Sequence, residues 1–156
     1  MFSLKKQKGF TIVELLIVIV VIGILATLVI VTFTGIQKKA RDSQRQTDIN
    51  AVNSQIAAFY TNYGFYPSLA DMNSSAFRTA YMKGLDPESL KDPKATGANL
   101  AAASSGTQYG YVATGGAGCT AVSTVATTGD PADNSCDGYT LTATLESGGT
   151  FEKKSN

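Results

Sequence analysis

The sequence predicts an α+β protein in which one long N-terminal helix packs against a small antiparallel β-sheet. Three features lead to this prediction. An apolar run of twenty residues, Ile12 to Val31, contains a single charge. A polar stretch with helical periodicity follows it without a strong helix breaker up to Gly64. The rest of the chain alternates short β-prone segments with glycine-rich turns.

The apolar run is long enough to cross a membrane as a helix. Twenty residues at about 1.5 Å each span roughly 30 Å, the hydrocarbon thickness of a bilayer. Lys5, Lys6 and Lys8 precede the run, as in a signal sequence, but residues 29–35 contain no small-residue cleavage site. We therefore expect the run to stay attached as an anchor, with the bulk of the chain outside the cytosol.

Glu14 is the charged residue within this run. A carboxylate costs roughly 2.5–3.5 kcal/mol near the centre of a membrane and less near its edge, so it needs a partner. Before any cleavage the nearest cation is Lys8, six residues away and too distant for a contact between positions i and i+4. In an alternative interpretation, the Glu14 side chain extends to the membrane surface.

Residues 8–18, with the sequence KGFTIVELLIV, closely resemble the processing motif of type IV pilins and type II secretion pseudopilins. The resemblance implies that a membrane-embedded prepilin peptidase cuts after Gly9 and methylates the new amine of Phe10. It also implies that Glu14 meets the N-terminal amine of a neighbouring subunit. Opposite charges attract strongly in a low-dielectric core, so this pair would set the register of a filament. The fold implied is the pilin fold, a long helix on a small sheet.

The same resemblance implies a structural function with several partners. The chain would be a major-pilin-like subunit of a type IV pilus, serving adhesion, motility or DNA uptake. Copies of the chain would assemble into a helical filament with the help of an assembly ATPase and an inner-membrane platform protein. The subunit would be a single-pass membrane protein before assembly and part of an extracellular filament, or fimbrium, afterwards.

Two other functions remain open. Within the family, the alternative is the major pseudopilin of a type II secretion system. From a different class, the alternative is a monomeric membrane-anchored extracellular binding domain. That alternative explains the apolar run but not the combination of Gly9, Phe10 and Glu14.

Gly23 lies in the middle of the apolar run. A glycine weakens a helix by about 1 kcal/mol in water. The family resemblance implies that the helix melts near here in the filament, although valine and isoleucine at positions 29–31 replace the proline that often follows in the family. A close helix–helix contact through the small residue is an equal alternative.

Beyond Gly35, apolar residues recur at spacings of three and four, which predicts a helical stripe facing a core. We expect the helix to run from Phe10 to Tyr63 and to stop at Gly64. Asp42 and Arg45 are placed off the stripe, and the cluster of cations is expected on a solvated face near headgroups or between subunits. The stripe comprises Ile49, Val52, Ile56, Phe59 and Tyr63. The cations are Lys38, Lys39, Arg41 and Arg45.

The chain is expected to comprise a leader, residues 1–9, a transmembrane or filament-core helix, residues 10–35, an amphipathic helix, residues 36–63, and a head, residues 64–156. The head should hold a short helix within 73–83, capped by Asn73 or Ser74. Three or four antiparallel strands should follow, with a hairpin turn at Gly148–Gly149 and a frayed end at Lys153 and Lys154. The expected strands are Tyr109–Ala113, Thr120–Thr128, Tyr139–Leu145 and Thr150–Glu152.

Cys119 and Cys136 are the two cysteines of the chain. Since a disulfide persists outside the cytosol, we expect them to be linked; two free buried thiols are the alternative. The loop around Cys136 carries oxygen ligands that make a weak calcium candidate, with a spacing unlike an EF-hand. A polar turn closed by the disulfide is the preferred interpretation, and no cofactor is expected. The calcium candidates are Asp130, Asp133, Asn134 and Asp137.

Composition argues against an enzyme and against nucleic-acid binding. The chain has no histidine, the commonest general base near neutral pH, and no phosphate-binding glycine pattern. Its net charge is +1, and without residues 1–9 it becomes −2, with 10 basic and 12 acidic residues. DNA binding is therefore not indicated by charge.

Overall fold

The computed structural model describes residues 9–116, 119 and 136–155. The chain divides into two compact units, Met1–Gln37 and Lys38–Asn156. The predicted α+β architecture is confirmed, since the described residues form one long helix, two short helices, a 3₁₀ turn and a three-stranded antiparallel sheet. The elements are α1 (Ile12–Tyr63), α2 (Leu69–Asn73), α3 (Ser75–Tyr81), the 3₁₀ turn (Pro87–Leu90), β1 (Gly110–Gly115), β2 (Cys136–Thr144) and β3 (Thr150–Lys154).

The first unit is the apolar half of α1. Its side chains from Phe10 to Ile36 are exposed, and by length and composition α1 qualifies as a membrane-spanning helix. The threonine hydroxyls of this half donate to carbonyls one turn back; that of Thr27, for instance, donates to the Gly23 carbonyl over 2.9 Å. Hydroxyls satisfied within their own helix suit a medium that offers no water.

The second half of α1 presents the predicted apolar stripe to the core of the head. Ile49, Val52, Ile56 and Phe59 are all buried. The helix ends at Tyr63, as predicted, because Gly64 adopts a left-handed φ of 81° while its N–H still donates to the Tyr60 carbonyl over 2.8 Å.

Two short helices follow where one was predicted. Ser68 and Asp71 form a capping box that starts α2, and the Ser74 side chain caps α3. The prediction of Ser74 as a cap is therefore confirmed, while α2 was missed. Its signal is the S-x-x-D spacing at 68–71, too short a pattern to stand out in the sequence.

The sheet has the order β1-β2-β3, with Tyr111, Leu141 and Lys153 in one row across the three strands. Gly148 and Gly149 take positive φ values and close the predicted hairpin between β2 and β3. The predicted fraying of the last lysines is wrong, because Lys153 and Lys154 pair with β2. The expected strand at 120–128 lies outside the described residues.

Tyrosine hydroxyls connect the sheet to the rest of the head. Tyr109 donates to Asp48 over 2.8 Å, and Tyr139 donates to Asn53 over 2.7 Å, so two tyrosines of the sheet region bond to polar groups of α1. Tyr111 donates to the Pro67 carbonyl over 2.6 Å. Buried tyrosines thus fill the core with apolar area while their hydroxyls remain satisfied.

The predicted disulfide between Cys119 and Cys136 is present. Cys136 is buried at the start of β2, and its carbonyl accepts a hydrogen bond from the Tyr66 N–H over 2.8 Å. The disulfide therefore attaches residue 119 to the point where β2 meets the segment leaving α1.

Candidate processing and assembly site

Thr11 and Glu14 form a capping box at the start of α1. The Thr11 N–H and hydroxyl donate to Glu14 Oε2 over 2.8 and 2.7 Å, and the Glu14 N–H donates back to Thr11 Oγ1 over 3.3 Å. The Thr11 carbonyl also accepts the Leu15 N–H. These contacts explain why the helix begins at Ile12 instead of the predicted Phe10, since Thr11 is the N-cap.

Glu14 therefore has a partner within its own chain, Thr11, whereas the sequence pointed only to Lys8, a cation too distant for a contact between positions i and i+4. Thr11 supplies two hydrogen bonds, both to Oε2. Within the described part of the chain, Oε1 has no donor, and the side chain is exposed. Thr11 thus orients the Glu14 side chain, and no described residue occupies its second carboxylate oxygen.

Gly9 and Phe10 precede the helix and are exposed, with 88% of Phe10 accessible. A Cβ added at Gly9 meets no described atom within 4 Å, and its φ is not in the left-handed region. Among the described residues, nothing therefore requires a glycine at this position. We therefore expect that any requirement for glycine here comes from a molecule that binds the segment.

Gly23 is equally open, with no described atom within 4 Å of an added Cβ. It lies inside the continuous helix α1. The helix melting and the close helix contact proposed for this glycine both concern assembled subunits, so both stay predictions.

The second site is a buried ion-pair network in the head. Arg45 is 0% exposed and binds Asp92 through two hydrogen bonds, Nε to Oδ2 at 2.6 Å and Nη2 to Oδ1 at 3.0 Å. Its Nη1 donates to Asp42 over 2.9 Å and to Glu146 over 3.2 Å. One guanidinium therefore joins α1, the loop after the 3₁₀ turn and the β2–β3 hairpin.

Glu146 is the second centre of this network. Arg41 binds both of its carboxylate oxygens, over 2.6 and 2.8 Å, and Lys94 approaches to 3.0 Å. The contacts of Arg41 and, to a smaller extent, of Lys94 hold the pKa of Glu146 well below its usual range. Burial acts in the opposite direction but is outweighed. The hairpin is thus attached to the helix by charge-assisted hydrogen bonds.

Asp42 contributes the other half of the hairpin's attachment. Its two carboxylate oxygens accept the N–H groups of Glu146 and Ser147 over 2.8 and 2.9 Å. Burial alone would raise the pKa of Asp42, but these bonds and that of Arg45 outweigh it and lower the pKa to about 2. The carboxylate is therefore ionised wherever the protein is folded near neutral pH.

The prediction that Arg45 lies on a solvated face is wrong, and so is the placement of Asp42 and Arg45 off the stripe, because both side chains are buried. Counting back from Ile49 by four and then three gives Arg45 and Asp42, so the buried stripe continues through them. Their charge concealed this continuation. A basic and an acidic residue at positions that continue an apolar helical stripe indicate a buried ion pair.

The calcium candidate falls largely outside the described residues. Asp130, Asp133 and Asn134 are not described, and Asp137 is exposed on β2. Among residues 9–116, 119 and 136–155, no group of three acidic, cysteine or histidine side chains converges on a metal position.

Comparison with known proteins finds one family match near the N-terminus and curated relatives that align with part of the chain. Residues 4–30 match the family described as "Prokaryotic N-terminal methylation motif". The chain is 36% identical over 64 residues to type II secretion system core protein G of Dickeya chrysanthemi, covering 41% of this chain and 42% of that protein. It is 31% identical over 86 residues to the type IV major pilin protein PilE of Neisseria gonorrhoeae, covering 53% and 52%.

A third relative is the type IV major pilin protein PilA of Myxococcus xanthus, 32% identical over 66 residues that cover 42% of this chain and 30% of that protein. The chain spans about half the length, or less, of these curated relatives. No solved structure matches the chain. The family match at residues 4–30 includes the capping box of Thr11 and Glu14 and most of the apolar run.

Proposed function

Because the chain belongs to the pilin and pseudopilin family, we propose that it is a structural subunit of a type IV pilus filament and not an enzyme. The observation that carries this proposal is the carboxylate of Glu14. It is oriented by Thr11 at the start of an exposed apolar helix and keeps one oxygen open. A membrane anchor alone has no use for such a group.

The proposed mechanism begins with removal of the leader, residues 1–9. A prepilin peptidase cuts after Gly9 and methylates the amine of Phe10. The exposed, non-helical position of Gly9 and Phe10 supports this step, because a peptidase needs an extended segment with accessible backbone. The cut also creates a positive charge one residue before the helix cap.

Assembly then brings that amine to the open oxygen of a neighbour's Glu14. In an apolar environment each charge alone is penalised, whereas the pair is stabilised, so subunits in the wrong register are disfavoured. Thr11 acts as a positioning residue, because its two hydrogen bonds fix Oε2 and leave Oε1 for the amine. An assembly ATPase and an inner-membrane platform protein supply the work of extracting subunits from the membrane.

A major pseudopilin of a type II secretion system is the second candidate. The similarity to secretion system core protein G favours it, whereas the Cys119–Cys136 disulfide that closes a late loop favours a pilin. Electron microscopy of cells at native expression, with antibody to the head, distinguishes the two. Long labelled surface fibres support the pilus; their absence, together with loss of protein secretion on deletion, supports the pseudopilin.

A separate experiment tests whether the chain forms the surface filament expected of a pilin. Cells are sheared and the released material is weighed and probed for the chain. A filament subunit appears in the sheared fraction at its mature mass. A monomeric membrane-anchored binding domain stays with the membrane, and that result would reject the pilus function.

A further inference from the structure

Among the described residues, Arg78 has no carboxylate partner, unlike the other two arginines of the head, Arg41 and Arg45. Arg41 and Arg45 each bind carboxylates, whereas within the described part of the chain no carboxylate lies within 4 Å of Arg78. Its Nη1 donates to the Met72 carbonyl, and its Nε is buried with no hydrogen-bond partner among the described residues. The positive charge of this half-buried guanidinium is therefore not balanced by any described acid.

The side chain lines a cavity of about 400 Å³ beside α3. Lys83 contributes a second cation, and it too has no described carboxylate within 4 Å. Ser75 adds a hydroxyl, while Met82, Leu85 and Pro87 form an apolar wall. Burial lowers the pKa of Arg78, the direction expected for a cation that has lost water and gained no anion.

We propose that this cavity binds a phosphate group, with Arg78 and Lys83 as its cationic ligands. Two cations with no described acid beside them balance the charge of a doubly charged oxyanion better than that of a ligand with a single carboxylate. The planar guanidinium is suited to two-point recognition of such an anion, and the lysine supplies a flexible point charge. The volume leaves room for a small organic group against the apolar wall. The phosphate comes either from a free small molecule or from a lipid headgroup.

The test titrates the full chain, purified in neutral detergent, with inorganic phosphate by calorimetry at constant chloride. A parallel arm replaces part of the detergent with phosphatidylglycerol, using phosphatidylcholine as its reference. Lys83→Gln is the main variant, since Lys83 is exposed and its loss is not expected to unfold the head. Arg78→Gln is the second. Lys91→Gln, which removes an exposed cation outside the cavity, is the matched control.

Saturable binding that weakens about tenfold or more in Lys83→Gln and Arg78→Gln, but not in Lys91→Gln, supports the site. The arm that binds identifies the source of the phosphate. Absence of saturable binding in both arms, or equal weakening in Lys91→Gln, overturns the proposal. A folded Lys83→Gln variant with unchanged affinity overturns it as well. None of these outcomes depends on whether the chain forms filaments.

Discussion

The Arg45 guanidinium and the Asp92 carboxylate form a two-point ion pair in which both side chains are wholly buried. Arg45 belongs to α1, while Asp92 lies in the loop just after the 3₁₀ turn. The pair therefore fixes that loop against the helix. Because Arg45 also reaches Asp42 and Glu146, the same guanidinium holds the β2–β3 hairpin.

Asp92→Asn should lower the free energy of unfolding of the head by about 3–5 kcal/mol, because it leaves the Arg45 charge buried with less compensation. Chemical denaturation in detergent measures this effect. Asp137→Asn, which changes an exposed carboxylate of β2, is the control and should stay within about 0.5 kcal/mol of the parent.

The double variant Arg45→Met/Asp92→Leu should lose less stability than the sum of its single variants, since it removes both charges together. Additive losses would show that the two residues act independently and would contradict the described pair.

The head should lose stability as the pH falls below about 5. Asp42 and Glu146 have folded pKa values below their ordinary ones, so their contribution is complete above the unfolded pKa and is lost as the pH falls through the folded pKa. For Asp42 this window extends from its ordinary value of 3.8 down to about 2. Asp48 acts in the opposite direction, because burial raises its pKa.

Thermal melting between pH 7 and pH 2 checks this dependence. Asp42→Asn should reduce the stability at pH 7 and flatten the acid part of the profile. A variant whose melting temperature falls with acid as steeply as that of the parent would show that Asp42 is not responsible.

Removing the disulfide should destabilise the head by about 3 kcal/mol, on chain-entropy grounds for a loop of this length. The double variant Cys119→Ala/Cys136→Ala should unfold at a lower denaturant concentration than the parent. Reductant should shift the parent in the same direction and leave the double variant unaffected. A parent protein that is insensitive to reductant under denaturing conditions would argue against the bond.

Gly9→Val should leave the precursor uncut, because a side chain at this position obstructs the proposed peptidase and nothing in the described chain needs the glycine. Mass spectrometry of the membrane fraction distinguishes the uncut from the mature form. Gly35→Ala, at an equally open glycine within α1, is the control and should be processed normally. Mature mass in Gly9→Val would reject cleavage after Gly9.

Much of the fold follows from local patterns in the sequence. The stripe from Ile49 to Phe59 locates the buried face of α1, and Gly64 ends the helix through a backbone conformation that glycine adopts easily. Alternation in β2 identifies Leu141 and Ala143 as core residues, and both are buried. These features depend on neighbours within a few residues, so periodicity reveals them.

The ion-pair network was not predictable in the same way. From the sequence, Arg45 is interpreted as a surface cation, because its partner Asp92 lies 47 residues later in the chain. The same limit applies to Lys153 and Lys154, whose strand exists because β2 offers them partners. At the N-terminus, by contrast, the spacing of Thr11 and Glu14 is that of a capping box, so the role of Glu14 in the cap was predictable from the sequence.

The filament role depends most directly on Glu14, and the decisive variant is Glu14→Gln. It preserves the size of the side chain and removes the charge that the neighbouring amine needs. Processing and filament number are measured in the same cells, by mass spectrometry and by electron microscopy of antibody-labelled fibres. We expect normal cleavage and methylation with filaments lost. Filaments of normal number and register in Glu14→Gln would contradict the proposed pairing of Glu14 with the neighbouring amine.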